Sequence, residues 1–303
     1  MKILSLGNRR TVLLALVLIL AMATYSSAAE KPIELKLAQY FASAQWHSKI
    51  VADWAKKIET ESNGRLRITI FPDSSLLSGP ETWQGTVRGV ADICSGWIKG
   101  FGKEGMVPYH LSTATLAAIY GTKGAAEVTK IGDELMKVFP PFAQEVDDLK
   151  HFANFSLQNV VLYSRNFAVR SVADIKGRTI RAGNNAVSDI VKYFGGSPLF
   201  MAMPEVFMAL QKGTIDMNAG FGSNLKAYRH GDIARYATLT LIPGAGVSPG
   251  SVGMNWDIWK KLPPDLQKVF EANSNWLNDK LNSSRRDEEI EGLEYVRVDR
   301  SLP

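Results

Sequence analysis

The chain has 303 residues, a formal net charge of +5 and 46% hydrophobic residues, a composition too apolar for a disordered chain. Cys94 is the sole cysteine, so an intramolecular disulfide framework is excluded and the core must stabilise the fold. No block of like charge stands out, and no segment beyond the N-terminus is long and apolar enough to span a bilayer.

The N-terminus reads as a cleavable secretory signal over residues 1–29. Lys2, Arg9 and Arg10 form a basic start, Val12 to Ala23 is an apolar run, and Ser26-Ser27-Ala28-Ala29 offers small residues for cleavage before Glu30. The apolar run is shorter than the roughly 20 residues a spanning helix needs. Arg9-Arg10 leaves open the general secretory and twin-arginine routes, and the lack of a nearby cysteine argues against a lipid anchor. Cleavage leaves about 274 residues, enough for two lobes, and a charge of about +2, so the high pI does not argue for a nucleic-acid partner.

Ile33, Leu35 and Leu37 alternate with Glu34 and Lys36, which predicts a strand. Trp46, Ile50, Trp54 and Ile58 stand four apart, which predicts a helix from Ser43 to Glu61, capped by Ser43 and stopped by Asn63-Gly64. Leu66, Ile68 and Ile70 alternate as a second strand. A short helix follows Pro80, and Gly89-Val90-Ala91-Asp92-Ile93 enters a third strand. This order predicts α/β winding with parallel strands. A mostly helical stretch from Gly121 to Val138 follows, then Pro140-Pro141.

The same rhythm returns later. A strand is predicted over Arg178 to Arg181, a helix over Ala186 to Phe194, a short strand over Leu199 to Met201 and a helix over Pro204 to Gln211. Gly213-Thr214-Ile215-Asp216-Met217 then matches the earlier Gly-x-x-Asp turn at Gly89. Two similar α/β lobes are expected. Pro264 opens a long helical pattern carrying Leu266, Phe270, Leu277 and Leu281, placed to brace both lobes.

Catalytic signals are poor. Gly246-Val247-Ser248-Pro249-Gly250 fits G-x-S-x-G, but the residue after the serine must supply a backbone N–H, and Pro249 has none. Gly100-Phe101-Gly102-Lys103-Glu104-Gly105 fits G-x-G-x-x-G, yet Pro108 follows where a dinucleotide site needs a helix. His47, His110, His151 and His230 show no metal-ligand spacing. Neither an enzyme nor a cofactor or metal is expected. A cleft between two lobes is a favoured ligand site, with hinge closure as its motion.

Three stretches carry a family resemblance. They are Trp54-Ala55-Lys56-Lys57-Ile58 continuing through Ser62-Asn63-Gly64-Arg65; Ala173-Asp174-Ile175-Lys176-Gly177-Arg178-Thr179-Ile180-Arg181; and Met203-Pro204-Glu205-Val206-Phe207-Met208-Ala209-Leu210-Gln211-Lys212-Gly213-Thr214-Ile215-Asp216. From about Ile33 to about Glu288 the chain resembles the solute-binding proteins of tripartite ATP-independent periplasmic (TRAP) transporters, the DctP-like family. The resemblance implies an α/β, two-lobed periplasmic binding protein fold (type II-like) with a long connecting helix. Its implied lobes are 30–158 with 246–285, and 159–245 with 286–303. Family members continue past Leu302-Pro303, so a terminal helix is expected to be missing.

In that family the arginine ending the second stretch, here Arg181, binds the ligand carboxylate. A guanidinium fork matches a carboxylate with two parallel hydrogen bonds, worth about 1.5–3 kcal/mol net. The remaining candidate ligand contacts are Tyr40, Trp97, Asn184, Met203, Asn218, Gly220 and Phe221. The chain departs from the dicarboxylate and sialic-acid binders. Their second arginine falls near Val161, with Arg165 out of register, and polar positions become Tyr40, Trp97 and Gly220. One charge anchor with flat apolar walls implies a monocarboxylate with an apolar or aromatic body. The implied partners are that acid and the small and large membrane subunits of a transporter, with the receptor a monomer in the periplasm. A secreted hydrolase with an active site between the lobes, or a solute sensor docking a signalling protein, are the alternative readings.

Overall fold

The computed structural model describes residues 31–97, 125–144, 147–155, 160–183, 185–240, 250–283, 287 and 290–295. The signal segment, the glycine run at 100–105, the Gly246–Pro249 stretch and Asn184 lie outside them.

The first elements follow the predicted order: β1 (Ile33–Gln39), α1 (Trp46–Glu61), β2 (Leu66–Phe71), α2 (Thr82–Val87) and β3 (Ile93–Trp97). Next come α3 (Ala125–Val138), α4 (Pro140–Gln144) and β4 (Leu149–Phe155). The second run is β5 (Val161–Ser164), β6 (Thr179–Ala182), α5 (Asn185–Tyr193), β7 (Ser197–Phe200), α6 (Val206–Lys212), β8 (Met217–Gly220), α7 (Gly222–Ala227) and β9 (Tyr236–Leu239). The chain then adds β10 (Gly250–Asn255), α8 (Trp256–Lys261) and α9 (Pro264–Ser283).

These strands form two five-stranded sheets, ordered β2-β1-β3-β10-β4 and β7-β6-β8-β5-β9. Both are mixed, which corrects the expectation of parallel winding. β1 runs parallel to β3, and β7, β6 and β8 run parallel to one another. β10 lies antiparallel to β3 and β4, and β5 antiparallel to β8 and β9. The reason is chain routing. β10 returns from the second sheet and inserts between β3 and β4, so it enters against their direction.

Helix α1 starts at Trp46 with Gln45 at its N-cap position, where no side chain caps it. Ser43, expected as the cap, lies outside the helix and donates to Asp73 Oδ2 at 3.4 Å. The stop is as expected, with Asn63 and Gly64 at φ of 54° and 74°. Val51, Trp54, Ala55 and Ile58 of α1 are buried against the first sheet and α9. The Trp54 and Phe270 rings lie 5.7 Å apart, and Phe270 stacks on Phe152 at 5.4 Å. Each fully buried ring contributes about 1.5–3 kcal/mol relative to exposure. Helix α9 packs on β4 and α1 of the first sheet. Helical residues 290–295 reach the second lobe, where Leu293 and Tyr295 join its core and Lys226 pairs with Glu291 at 2.7 Å.

The two Gly-x-x-Asp turns build the same clasp. Asp92 N donates to the Lys36 carbonyl at 2.9 Å, while Asp92 Oδ2 accepts from Lys36 N at 2.7 Å. Asp216 N donates to the Thr179 carbonyl at 2.8 Å, while Asp216 Oδ2 accepts from Thr179 N at 2.7 Å. Each clasp fixes the register of the parallel strand pair that begins there. No helix among the described residues is long and apolar enough to cross a membrane.

Candidate functional site

The second sheet sets side chains on one face by register. Leu199, Arg181, Asn218, Tyr163 and Ala237 are successive cross-strand partners from β7 to β9. Partners in register point to the same face of a sheet. Their neighbours Ile180, Ala182, Leu162, Met217 and Ala219 fill the core on the opposite face. The period of two therefore sends a guanidinium, an amide and a phenol together to the face covered by α6 and α7.

Arg181 is only 4% exposed. Its Nε donates to the Met201 carbonyl at 3.0 Å and its Nη1 lies 3.4 Å from the Ala219 carbonyl. Among the described residues no carboxylate pairs with it. Gly183 leaves room for the guanidinium, because a Cβ there would stand 2.9 Å from Nη1. His230 is fully buried, with Nδ1 2.6 Å from the Tyr163 hydroxyl. Burial, aided by the nearby Arg181 charge, pushes His230 down to about 3, so the imidazole is neutral at physiological pH.

Tyr228 stacks on His230 with ring centroids 5.5 Å apart. Its hydroxyl accepts a hydrogen bond from the Ala42 backbone N–H at 3.0 Å, joining the loop after β1 to the segment after α7. Burial, with Tyr40 and Asp73 close by, holds its phenol well above the ordinary range. Tyr228 thus stands where residues of both sheets meet.

The predicted site residues divide into groups. Arg181 and Asn218 are brought side by side, and Gly220 lies one step further along the same face. A Cβ at Gly220 would fall 2.3 Å from Asn218 Nδ2, so the amide lies over that glycine. Phe221, half-buried, follows Gly220 and packs against the first lobe's core, which also contains Tyr40. Tyr40 is 6% exposed and its ring lies over Gly79, where a Cβ would meet it at 2.4 Å. Met203 is buried in the second lobe's core with Val206 and Leu210. Trp97 ends β3, paired with Gly250 of β10. Asn184 lies outside the described residues. Sequence reasoning missed Tyr163, Tyr228 and the placement of His230. Only Tyr163 carried a usable signal, since it sits in a short apolar run that could be a buried strand.

No group of three histidines, cysteines or carboxylates among the described residues could hold a metal ion. Among the described residues the arrangement offers a buried cation, an amide and aromatic surfaces, and the Tyr163–His230 pair beside them is buried and engaged with itself. It is suited to holding an anion rather than transforming one.

The chain is 25% identical over 222 residues to the uncharacterized protein YiiZ of Salmonella typhimurium, covering 72% of this chain and 64% of that protein. It is 22% identical to the C4-dicarboxylate-binding periplasmic protein DctP of Rhodobacter capsulatus, covering 92% of this chain and 81% of the relative. The fold matches a TRAP periplasmic solute-binding protein of Bordetella bronchiseptica crystallised with (R)- and (S)-mandelate. That match has a TM-score of 0.72 at 17% identity, over 88% of this chain and 89% of the other. The two-lobed fold is therefore that of the TRAP binding proteins, with α9 as its long helix. The model of bacterial extracellular solute-binding protein family 7, DctP, matches residues 37–297, and the chain belongs to that family of TRAP solute-binding receptors, which are not enzymes.

Proposed function

We propose that this receptor captures a monocarboxylate with an apolar or aromatic body and delivers it to the small and large membrane subunits of a TRAP-type secondary transporter. The observation that carries the reading is Arg181: a guanidinium 4% exposed with no carboxylate beside it among the described residues. An uncompensated buried charge is costly, and a bound carboxylate would relieve that cost. The position of a second arginine holds Val161, which is buried in the core, and Arg165 instead donates to the Gln211 carbonyl at 2.8 Å. A second ligand carboxylate has no matching cation there. In this reading Phe221, the half-buried residue after Gly220, and Tyr40 would offer the ligand flat apolar surface.

In this reading the mature receptor works as a periplasmic monomer after loss of residues 1–29. Its lobes are 30–158 with 246–285 and 159–245 with 286–303. The experiment is equilibrium binding to a panel of organic acids. Aromatic monocarboxylates are expected to bind and succinate or sialate to bind at least tenfold more weakly; the reverse order overturns the ligand class. Arg181→Ala is expected to weaken binding at least a hundredfold, and unchanged affinity removes Arg181 from the site.

A further inference from the structure

Asn218 is fully buried, and neither its Nδ2 nor its Oδ1 has a hydrogen-bond partner. Buried amides are almost always satisfied, and leaving both a donor and an acceptor unmade is costly. The neighbouring polar atoms are already engaged. Tyr163 meets His230 Nδ1, and Asn224 Oδ1 accepts from Phe221 N at 2.9 Å. Asn218 is the direct cross-strand partner of Arg181, and adjacent strands lie about 4.8 Å apart. Both head groups reach the same level of the sheet. The guanidinium reaches the Ala219 carbonyl, and the amide lies over Gly220.

We infer that Asn218 reads a hydroxyl on the carbon next to the ligand's carboxylate, so that the receptor selects 2-hydroxy acids over their deoxy analogues. The chemistry follows from the amide's two unmet needs. A hydroxyl both donates and accepts, so one group can satisfy Oδ1 through its hydrogen and Nδ2 through its lone pair. An oxo group would only accept and would leave Oδ1 unpaired. Once the carboxylate is fixed on Arg181, its α-substituent is the ligand group nearest to the adjacent strand. A site built to hydrogen-bond a hydroxyl rejects the analogue that lacks it, because its own buried polar groups are then left unpaired. Gly220 belongs to the same device. Any side chain there would displace the Asn218 amide, since a Cβ would sit 2.3 Å from its nitrogen.

The inference rests on the proposed carboxylate anchor, and matched ligand pairs separate the two. Titration calorimetry of the wild-type protein compares 3-phenyllactate with 3-phenylpropanoate, and lactate with propanoate. Each pair differs only in the 2-hydroxyl. The hydroxy acid is expected to bind at least tenfold more tightly within at least the aromatic pair. Asn218→Leu, of similar volume, is expected to erase that preference, bringing each hydroxy acid within about twofold of its deoxy analogue. Equal affinities within the pairs in the wild type, or a preference that survives in Asn218→Leu, overturn the hydroxyl reading and leave the carboxylate anchor standing. Failure of all four acids to bind, with Arg181→Ala no different, overturns both. The wild-type pairs decide the matter even if Asn218→Leu fails to fold.

Discussion

The two sheets start from the same clasp and end in different chemistry. Asp92 ties β3 to β1 and Asp216 ties β8 to β6, each through one backbone and one carboxylate bond to the partner strand. Two residues beyond each clasp the equivalent cross-strand pairs are Ala38 with Cys94 in the first sheet and Arg181 with Asn218 in the second. The first pair is small and inert, and burial pushes the Cys94 thiol up to about 12. The second pair is a cation and an amide with unmet hydrogen bonds. One scaffold thus carries a small, inert pair in one lobe and a polar pair in the other, because β-register delivers whatever residue occupies the second position to the same place.

The comparison can be broken at the clasps first. Asp92→Ala and Asp216→Ala each remove the acceptor of a partly buried backbone N–H and are expected to cost about 2–3 kcal/mol, measured by urea unfolding. The two losses should agree within about 1 kcal/mol. A clasp that matters in only one lobe would show the symmetry to be superficial.

The second test concerns His230, the buried partner of Tyr163. His230 has a folded-state value near 3 against about 6.5 when unfolded, so the unfolded chain binds the extra proton. Stability from keeping it neutral is present above about pH 6.5 and is lost as pH falls toward about 3. The loss should reach about 2 kcal/mol by pH 5, read from pH-dependent unfolding. His230→Gln should flatten that slope. An unchanged slope would show that His230 is solvated in the folded state.

The smallest expected effect is at the junction of the sheets. Tyr228→Phe removes the hydroxyl that accepts from Ala42 N–H, a bond worth about 1 kcal/mol. Urea unfolding should lose about 1 kcal/mol of stability, and ligand affinity should fall by no more than about fivefold. If affinity is unchanged, the bond plays no part in holding the ligand-bound arrangement.

Much of the scaffold was legible because its signals are local. Alternation marked β1 and β2, four-residue spacing marked α1, and glycines at positive φ marked the ends of α1 and α6. β5 and β10 were not read, because every residue in them is buried and a strand covered on both faces shows no alternation. Ser43 looked like a cap by residue type, but the helix begins only at Trp46 and the serine turns to Asp73. In the site, Arg181 was readable as a strand-ending arginine within a family pattern. His230 and Tyr228 were not, and the apolar run around Tyr163 gave no sign of its place beside Asn218, since these residues come together only through pairings between distant segments.

The sequence by itself determined the α/β rhythm, the paired Gly-x-x-Asp turns and the placing of Arg181 at the end of a strand. These depend on side-chain periodicity and turn geometry within a few residues. The tertiary structure decided that β10 runs back between β3 and β4. It also decided that Arg181, Asn218 and Tyr163 share one face and that Tyr228 meets Ala42 across 186 positions of chain. Those facts follow from strand register and burial, which bring together residues whose sequence separation carries no trace of the contact.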